Sequence, residues 1–243
     1  DVSGDLHAAR LMRAMRRLEP DVRFVGLGMT RMAEEGLHEL SADWERGSAM
    51  WMHNVARLNR HHRRLMTCCD YIDREGVDLV LPMDFGGFNL YLSREGTRRG
   101  LPVFYYIPPQ VWAHAAYRLK KLRRWVTLAG LIYPFEPPLY ERYGVPARFI
   151  GHPLFDEIAE NPPSPAAVER LRARFGAQLV GLFPGSRLQE VRAHMPMLEA
   201  ACRMIRTAVP DAAFVLRCPP ALRAMAAALI RDAKGRPAGF HGL

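Results

Sequence analysis

Lysine is nearly missing from this chain, cysteine is sparse, and long apolar runs do not occur. Only Lys120, Lys121 and Lys234 interrupt an otherwise all-arginine supply of basic charge. The formal net charge is still +9, which favours anionic partners such as phosphate esters, acidic lipid or nucleic acid without ranking them. Cys68, Cys69, Cys202 and Cys218 make neither a disulfide framework nor a paired metal knuckle, and so point to a reducing setting. No stretch approaches the roughly 20 apolar residues that span a bilayer, and no basic-then-apolar leader is visible. Metal-ligand spacing of the HExxH kind is absent, with His61 and His62 side by side on what reads as a solvated basic helix. No nucleophile elbow marks a Ser/His/Asp set. Neither a recognition-helix signature nor an aromatic β-platform motif is present, so specific nucleic-acid binding is not expected.

What remains is an ordinary globular balance, 49% hydrophobic and 24% charged. At 243 residues the chain exceeds the usual single domain of roughly 100–150 residues, so two cores are allowed. Apolar periodicity predicts a helix from Asp5, a strand Arg23–Leu27 and a helix Met50–Arg74. It continues with strand Val77–Leu81, helix Phe88–Arg99, strand Val103–Ile107, a helix from about His114 to Arg124 and strand Trp125–Ala129. Helix Phe135–Tyr143 and strand Arg148–Ile150 follow. The run Glu-Asn-Pro-Pro-Ser-Pro-Ala at 160–166 is polar and proline-rich, as a semi-rigid linker would be. It separates a first domain, 1–159, from a second, 167–243. There the alternation resumes with helix Ala166–Phe175, strand Leu179–Phe183, helix Glu190–Thr207, strand Ala213–Arg217 and helix Ala221–Asp232. Alternating strands and helices predict an α/β fold built on parallel sheets covered on both faces, the second domain having about two strands.

Three loops could carry chemistry. Pro184-Gly185-Ser186-Arg187 lies between a predicted strand and the helix holding Glu190. There Gly185 permits a tight turn, freed amides can face a diphosphate and Arg187 can fork onto its oxygens; an ordinary turn with a solvated arginine is the plainer alternative. Asp84 follows the strand at Val77–Leu81 and can take a proton from a substrate hydroxyl, or can cap the next helix. Ser3-Gly4-Asp5 reads as a glycine loop opening a helix, offering amides to a substrate or simply capping. His152 stands near the hinge, where a structural role is the default. Ala49-Met50-Trp51-Met52 with Arg57, Arg60, Arg63 and Arg64, and the basic run Arg118 to Arg124, could rest on acidic lipid or be a core stripe beside a solvated face.

Taken together these motifs resemble the lipid-A-disaccharide synthase family. The matching pieces are Ser3-Gly4-Asp5, Arg23-Phe24-Val25-Gly26, Asp84 with Phe88-Asn89, Pro109 with Val111-Trp112-Ala113, Pro134-Phe135-Glu136, Arg148 to His152, and Pro184 to Arg187 with Glu190-Val191. The resemblance implies two facing nucleotide-fold domains and an inverting transfer at the cytoplasmic membrane face. The expected reaction joins UDP-2,3-diacylglucosamine to 2,3-diacylglucosamine 1-phosphate, giving a β-1,6-linked disaccharide and UDP. The UDP-sugar is a substrate, so no cofactor or metal is implied. The partners implied are UDP-diacylglucosamine, a lipid monosaccharide phosphate and an acidic membrane surface. It places the base at Asp84 and the donor diphosphate at Gly185, Ser186, Arg187 and Glu190, with Arg187 also catalytic. Ser3, Gly4, Asp5 and Asn89 fall on the acceptor side.

The chain departs from the family pattern at Gly87, where an aspartate is usual, and at Pro108-Pro109-Gln110, where Ser-Pro-Ser is common. The resemblance also implies a missing first strand and missing later donor loops, and hence a chain inactive or impaired alone. Rival readings are another UDP-sugar transferase or epimerase of the same form, or a non-catalytic protein binding anionic lipid or nucleic acid.

Overall fold

The computed structural model describes residues 2–41, 55–114, 116–176, 178–223, 225–226 and 241–242. The Ala49–Met52 segment lies outside the described residues. Two compact units divide between Glu160 and Asn161, the helix before the division ending at Glu160 and the next beginning at Pro165.

The first unit opens on α1 (Val2–Leu18), which begins earlier than periodicity predicts and takes Ser3, Gly4 and Asp5 into its first turns instead of leaving them in a loop. Strand β1 (Phe24–Gly26) pairs in parallel with β2 (Leu37–Glu39) across the short helix α2 (Thr30–Glu34). Neither α2 nor β2 was legible from periodicity, since β2 is three residues long and two of them are polar and exposed. Helix α3 (Val55–Glu75) packs on α4 (Gly86–Arg98). A three-stranded parallel sheet then forms from β3 (Phe104–Tyr106), β4 (Leu128–Leu131) and β5 (Ala147–Phe149).

Three sequence expectations shift in this unit. The predicted strand at Val77–Leu81 becomes an extended segment joined to β3 by single bridges, Val80 to Val103 and Met83 to Tyr106. Val80 donates to Pro102 O and receives from Phe104 N, and Pro82 O receives from Tyr106 N. Pro82 has no N–H to return to β3, so the ladder breaks there. The helix expected over 114–124 is three pieces: α5 (Val111–His114), a 3₁₀ turn at Ala116–Arg118 and α6 (Leu119–Trp125). The strand expected at Trp125–Ala129 starts three residues later, because Trp125 ends α6 and Val126 N still donates to Leu122 O.

The core of the first unit holds Val103, Tyr105, Leu119, Leu122, Leu131 and Tyr140, all fully buried. Helices α7 (Pro137–Arg142) and α8 (Pro153–Glu160) complete the unit. Arg64 is buried and His61 lies against Phe85 and Phe88, so this part of α3 is no uniformly solvated basic face.

In the second unit, α9 (Pro165–Phe175) precedes β6 (Leu179–Leu182), α10 (Leu188–Ala208) and β7 (Ala213–Leu216). A short third strand, β8 (His241–Gly242), pairs in parallel with β7, where the sequence suggested only two. The predicted helix at Ala221–Asp232 begins as a 3₁₀ turn at Pro220–Leu222, and 227–232 lie outside the described residues. Leu182, Val191, Met195, Phe214 and Leu216 form this unit's own core.

Gly96 of α4 sits where the helix meets the sheet: a Cβ there would lie 2.8 Å from Val80 Cγ2 and 3.4 Å from Val103 Cγ2. Alanine gains about 1 kcal/mol of helix propensity over glycine, but overpacking a close-packed site costs about 1–3 kcal/mol. Gly96→Ala is therefore expected to lower the urea midpoint of unfolding, and a raised midpoint would show that the core yields at this contact.

Candidate active site

The extended segment ends at Asp84, beside the carboxyl end of β3. Parallel α/β sheets expose backbone groups at that end, and ligands gather there. Asp84 has φ of 47° and Phe85 has φ of 32°, two successive left-handed residues with a Cβ, joined across the sheet by Ile107 at 52°. Such geometry costs of order 1–3 kcal/mol per residue and persists only where surroundings impose it. Here the surroundings are explicit. Asp84 N donates to Ile107 O. Asp84 O accepts from the buried Tyr105 hydroxyl at 2.7 Å and from Asn89 Nδ2 at 3.0 Å, and Asn89 Nδ2 also reaches Met83 O at 2.5 Å. Burial pushes the Tyr105 phenol well above its usual range, so it remains a donor at any working pH.

The capping alternative for Asp84 does not hold: the N-cap of α4 is Phe85, and no side chain caps it. The Asp84 residue is exposed, and its carboxylate accepts no hydrogen bond among the described residues. Asn89 is buried with its amide nitrogen given to the backbone of the Asp84 turn, so it holds that turn in place. Gly86 is obligatory because its Cβ would lie 2.3 Å from Pro109 Cγ, whereas Gly87 faces open space.

Two histidines join this region. His7 of α1 meets His152, after β5, edge to face at 6.4 Å between ring centres. Burial lowers the His7 pKa below 6.5, and the His152 and Arg10 charges lower it further, against smaller opposite effects of Glu157 and Asp84. Arg10 in turn contacts Glu157 at 3.4 Å and the Pro153 carbonyl at 3.5 Å.

Beyond His152 lies an aromatic group that the sequence reading did not assemble. Tyr133 stands 5.8 Å from His152, stacks on Phe135 at 5.3 Å, and both meet Trp112 at nearly right angles. Beneath them is Glu136, 2% exposed. Its carboxylate accepts from Tyr133 N at 3.0 Å, and the Ile132 amide and the Trp112 indole lie close enough to stabilise its charge. Burial raises its pKa, partly offset by these donors. Glu136 was visible in the sequence only as part of a motif, because its partners come from two different strand ends.

Asp5 has a defined structural task. Its buried carboxylate accepts from Met29 N, Arg31 N and Met32 N at 2.9–3.2 Å, capping α2, which has no cap of its own. Ser3 and Gly4 lie in the same helical turn, so the expected open loop is absent.

In the second unit, Gly185 has φ of 125° and a Cβ there would meet Glu190 Cβ at 2.6 Å. The amides expected to face a diphosphate are present at the start of α10 but are taken by Glu190. Its Oε2 accepts from Ser186 N at 2.9 Å and Arg187 N at 3.1 Å, and its Oε1 receives Arg187 Nη1 at 2.6 Å. The Arg187 hydrogen bond is the main reason the Glu190 pKa is lowered, with the Ser186 amide next. His194 Nδ1 contacts Pro184 O at 2.7 Å and so holds the loop from the far side. The loop thus binds a carboxylate with the same donors it would offer an anionic oxygen.

With these geometries in view, comparison with known proteins is informative. The family profile of lipid-A-disaccharide synthetase matches residues 1–231. The chain belongs to the lipid-A-disaccharide synthetase family. A lipid-A-disaccharide synthase of Geobacter sulfurreducens is 37% identical over 216 residues, covering 89% of this chain and 56% of the relative. One from Coxiella burnetii is 33% identical over 220 residues, 88% and 57% of the two chains. The chain therefore spans little more than half the length of these family members. In fold it is similar to a UDP-GlcNAc 2-epimerase of Neisseria meningitidis solved with UDP-GlcNAc, at TM-score 0.62 and 10% identity, covering 98% of this chain and 70% of that one. That likeness shows a shared α/β fold. Among the described residues no cluster of His, Cys, Asp and Glu suits a metal ion, and no helix is long and apolar enough to cross a membrane.

The lowered His7 value has a definite sign. The unfolded chain takes up a proton near pH 6.5 before the folded chain does, so the stability associated with His7 is present above that pH and is lost as pH falls through the lowered value. A histidine-resolved NMR titration, assigned with His7→Gln, should place the His7 midpoint below 6.5. A midpoint at or above it would mean that the ring is open to water.

Proposed function

We propose that this chain carries the catalytic groups of an inverting glycosyltransferase that forms the lipid A disaccharide. The donor is UDP-2,3-diacylglucosamine and the acceptor 2,3-diacylglucosamine 1-phosphate. The observation that carries this reading is the Asp84 carboxylate, exposed and without a hydrogen-bonding partner among the described residues, on a backbone held by Tyr105 and Asn89. A general base needs that combination of freedom at the carboxylate and fixity behind it.

The acceptor 6-hydroxyl oxygen attacks the donor anomeric carbon, and a C–O bond forms with inversion. Asp84 takes the hydroxyl proton, and the bond from the anomeric carbon to the diphosphate oxygen breaks. UDP leaves with the bonding electrons. Negative charge grows on the departing diphosphate, and Arg187 with the Ser186 and Arg187 amides are the groups that meet it. For this Arg187 exchanges its Glu190 partner for phosphate oxygen. A nucleotide fold in each unit, the first serving the acceptor and the second the donor, agrees with the UDP-sugar held by the epimerase of similar fold.

In the full-length protein, Asp84→Asn should slow transfer by about 10²–10⁴-fold while donor binding is kept. Arg187→Ala should weaken donor binding as well as turnover. The measurements are transfer to the lipid monosaccharide phosphate, calorimetry with the UDP-sugar, and circular dichroism for folding. A folded Asp84→Asn enzyme with wild-type chemistry would remove Asp84 as base, and a parent enzyme that ignores this acceptor would remove the substrate assignment.

We further propose a peripheral place on the cytoplasmic face of the membrane. The support is basic charge around exposed residues of α6, with Lys120, Lys121, Arg123 and Arg124 all on the surface. Sedimentation with acidic and neutral vesicles should show binding to the acidic ones that added salt weakens. Equal binding to both would exclude an electrostatic contribution.

A further inference from the structure

We infer that Trp112, Tyr133 and Phe135 form an aromatic corner that holds the sugar ring of the acceptor beside Asp84, and that Glu136 is the positioning residue that keeps the corner in shape. This rests on the reading of Asp84 as base for an acceptor hydroxyl.

Trp112 and Phe135 are 44% and 55% exposed, although rings of this size are normally drawn inward. They are not loose. The Tyr133 and Phe135 rings stack within 15° of parallel, and the Trp112 ring crosses both at 85–90°. The result is a fixed inner corner with an aromatic face on one side.

The corner is continuous with the Asp84 site. Asp84 N donates to Ile107 O just after β3, and Ile107 N donates to Gly130 O of β4, so the Asp84 turn and the corner stand at the same end of the sheet. Pro109, three residues before Trp112, lies so close to Gly86 that a Cβ on Gly86 would overlap it.

The surrounding groups select the occupant. Gln110 Nε2 donates to the Tyr133 hydroxyl at 3.3 Å, and His152 lines the other end, so polar groups border the apolar faces. A pyranose has the same make-up: one face of C–H groups, electron-poor enough to rest on an aromatic face, edged by hydroxyls that need hydrogen-bond partners. An acyl chain has no hydroxyls to match the polar border.

Glu136 explains how exposed rings stay ordered. Trp112 follows β3, while Tyr133 and Phe135 follow β4; one buried carboxylate accepts the Tyr133 amide at 3.0 Å, and the Ile132 amide and the Trp112 indole lie close enough to stabilise its charge. Glutamine at 136 would turn one of its two acceptors into a donor facing N–H groups.

The test uses the full-length enzyme with the acylated acceptor and with its deacylated counterpart, glucosamine 1-phosphate. Trp112→Ala should raise acceptor KM about tenfold or more for both, leaving kcat and donor KM nearly unchanged, and Trp112→Phe should restore most of the loss. Glu136→Gln should fold, as judged by circular dichroism, and raise acceptor KM in the same way. An unchanged acceptor KM in Trp112→Ala overturns the corner, and a rise confined to the acylated acceptor overturns the sugar assignment. A KM effect in Trp112→Ala without one in folded Glu136→Gln overturns the role of Glu136. If the parent enzyme transfers no sugar at all, the glycosyltransferase reading has failed. The corner is then judged by calorimetry with glucosamine 1-phosphate, where binding lost in Trp112→Ala upholds it and equal or absent binding overturns it.

Discussion

The carbonyl oxygen of Asp84 receives hydrogen bonds from a buried phenol and a buried amide, and the geometry of the first unit's site hangs on that oxygen. Without the two donors, Asp84 and Phe85 would relax from their left-handed conformation, since neither residue has the freedom of glycine. Relaxation would turn the carboxylate away and shift the start of α4. Net hydrogen-bond contributions of about 1 kcal/mol each are comparable to the strain they hold. Tyr105 belongs to the same buried core cluster as Val103 and Leu131, so the position of the carboxylate is ultimately set by core packing.

Local sequence pointed to the proposed chemistry where the partners are close along the chain. Asp84 stands out because strand, acid and glycines adjoin, and Gly185, Ser186, Arg187 and Glu190 stand out because a turn and a helix start lie within six residues. The tasks of Asp5 and Glu136 were not legible in the same way. Asp5 binds amides 24 to 27 positions away, and Glu136 joins the ends of two strands. No periodicity reports a contact of that range. The apolar stretch from Trp125 to Ile132 shows the other limit, because its first residues close a helix and its later ones build a strand. Pro82, directly after the predicted strand Val77–Leu81, carried a usable signal: a proline there argues against an unbroken ladder, and single bridges are what stands there.

The two loops that bear the proposed chemistry are held by different means. Around Asp84, buried side chains grip the backbone and leave the functional side chain alone. At Pro184–Arg187 a side chain, Glu190, grips the backbone amides and the functional arginine as well. The first arrangement keeps a proton acceptor unspent. The second keeps several donors converged on one point by giving them a negative group to surround.

That second arrangement makes the Pro184–Arg187 loop an ion exchanger. With Glu190 seated, the Arg187 guanidinium and the Ser186 and Arg187 amides stay together without an external anion, so the loop does not need to be refolded around each new one. In the proposed reaction an arriving diphosphate would trade places with a carboxylate that remains tethered 3 residues from Arg187, and departing UDP would be followed by the return of that carboxylate. The tether keeps the counter-anion at high local concentration, which would favour brief occupancy by an external anion over tight retention.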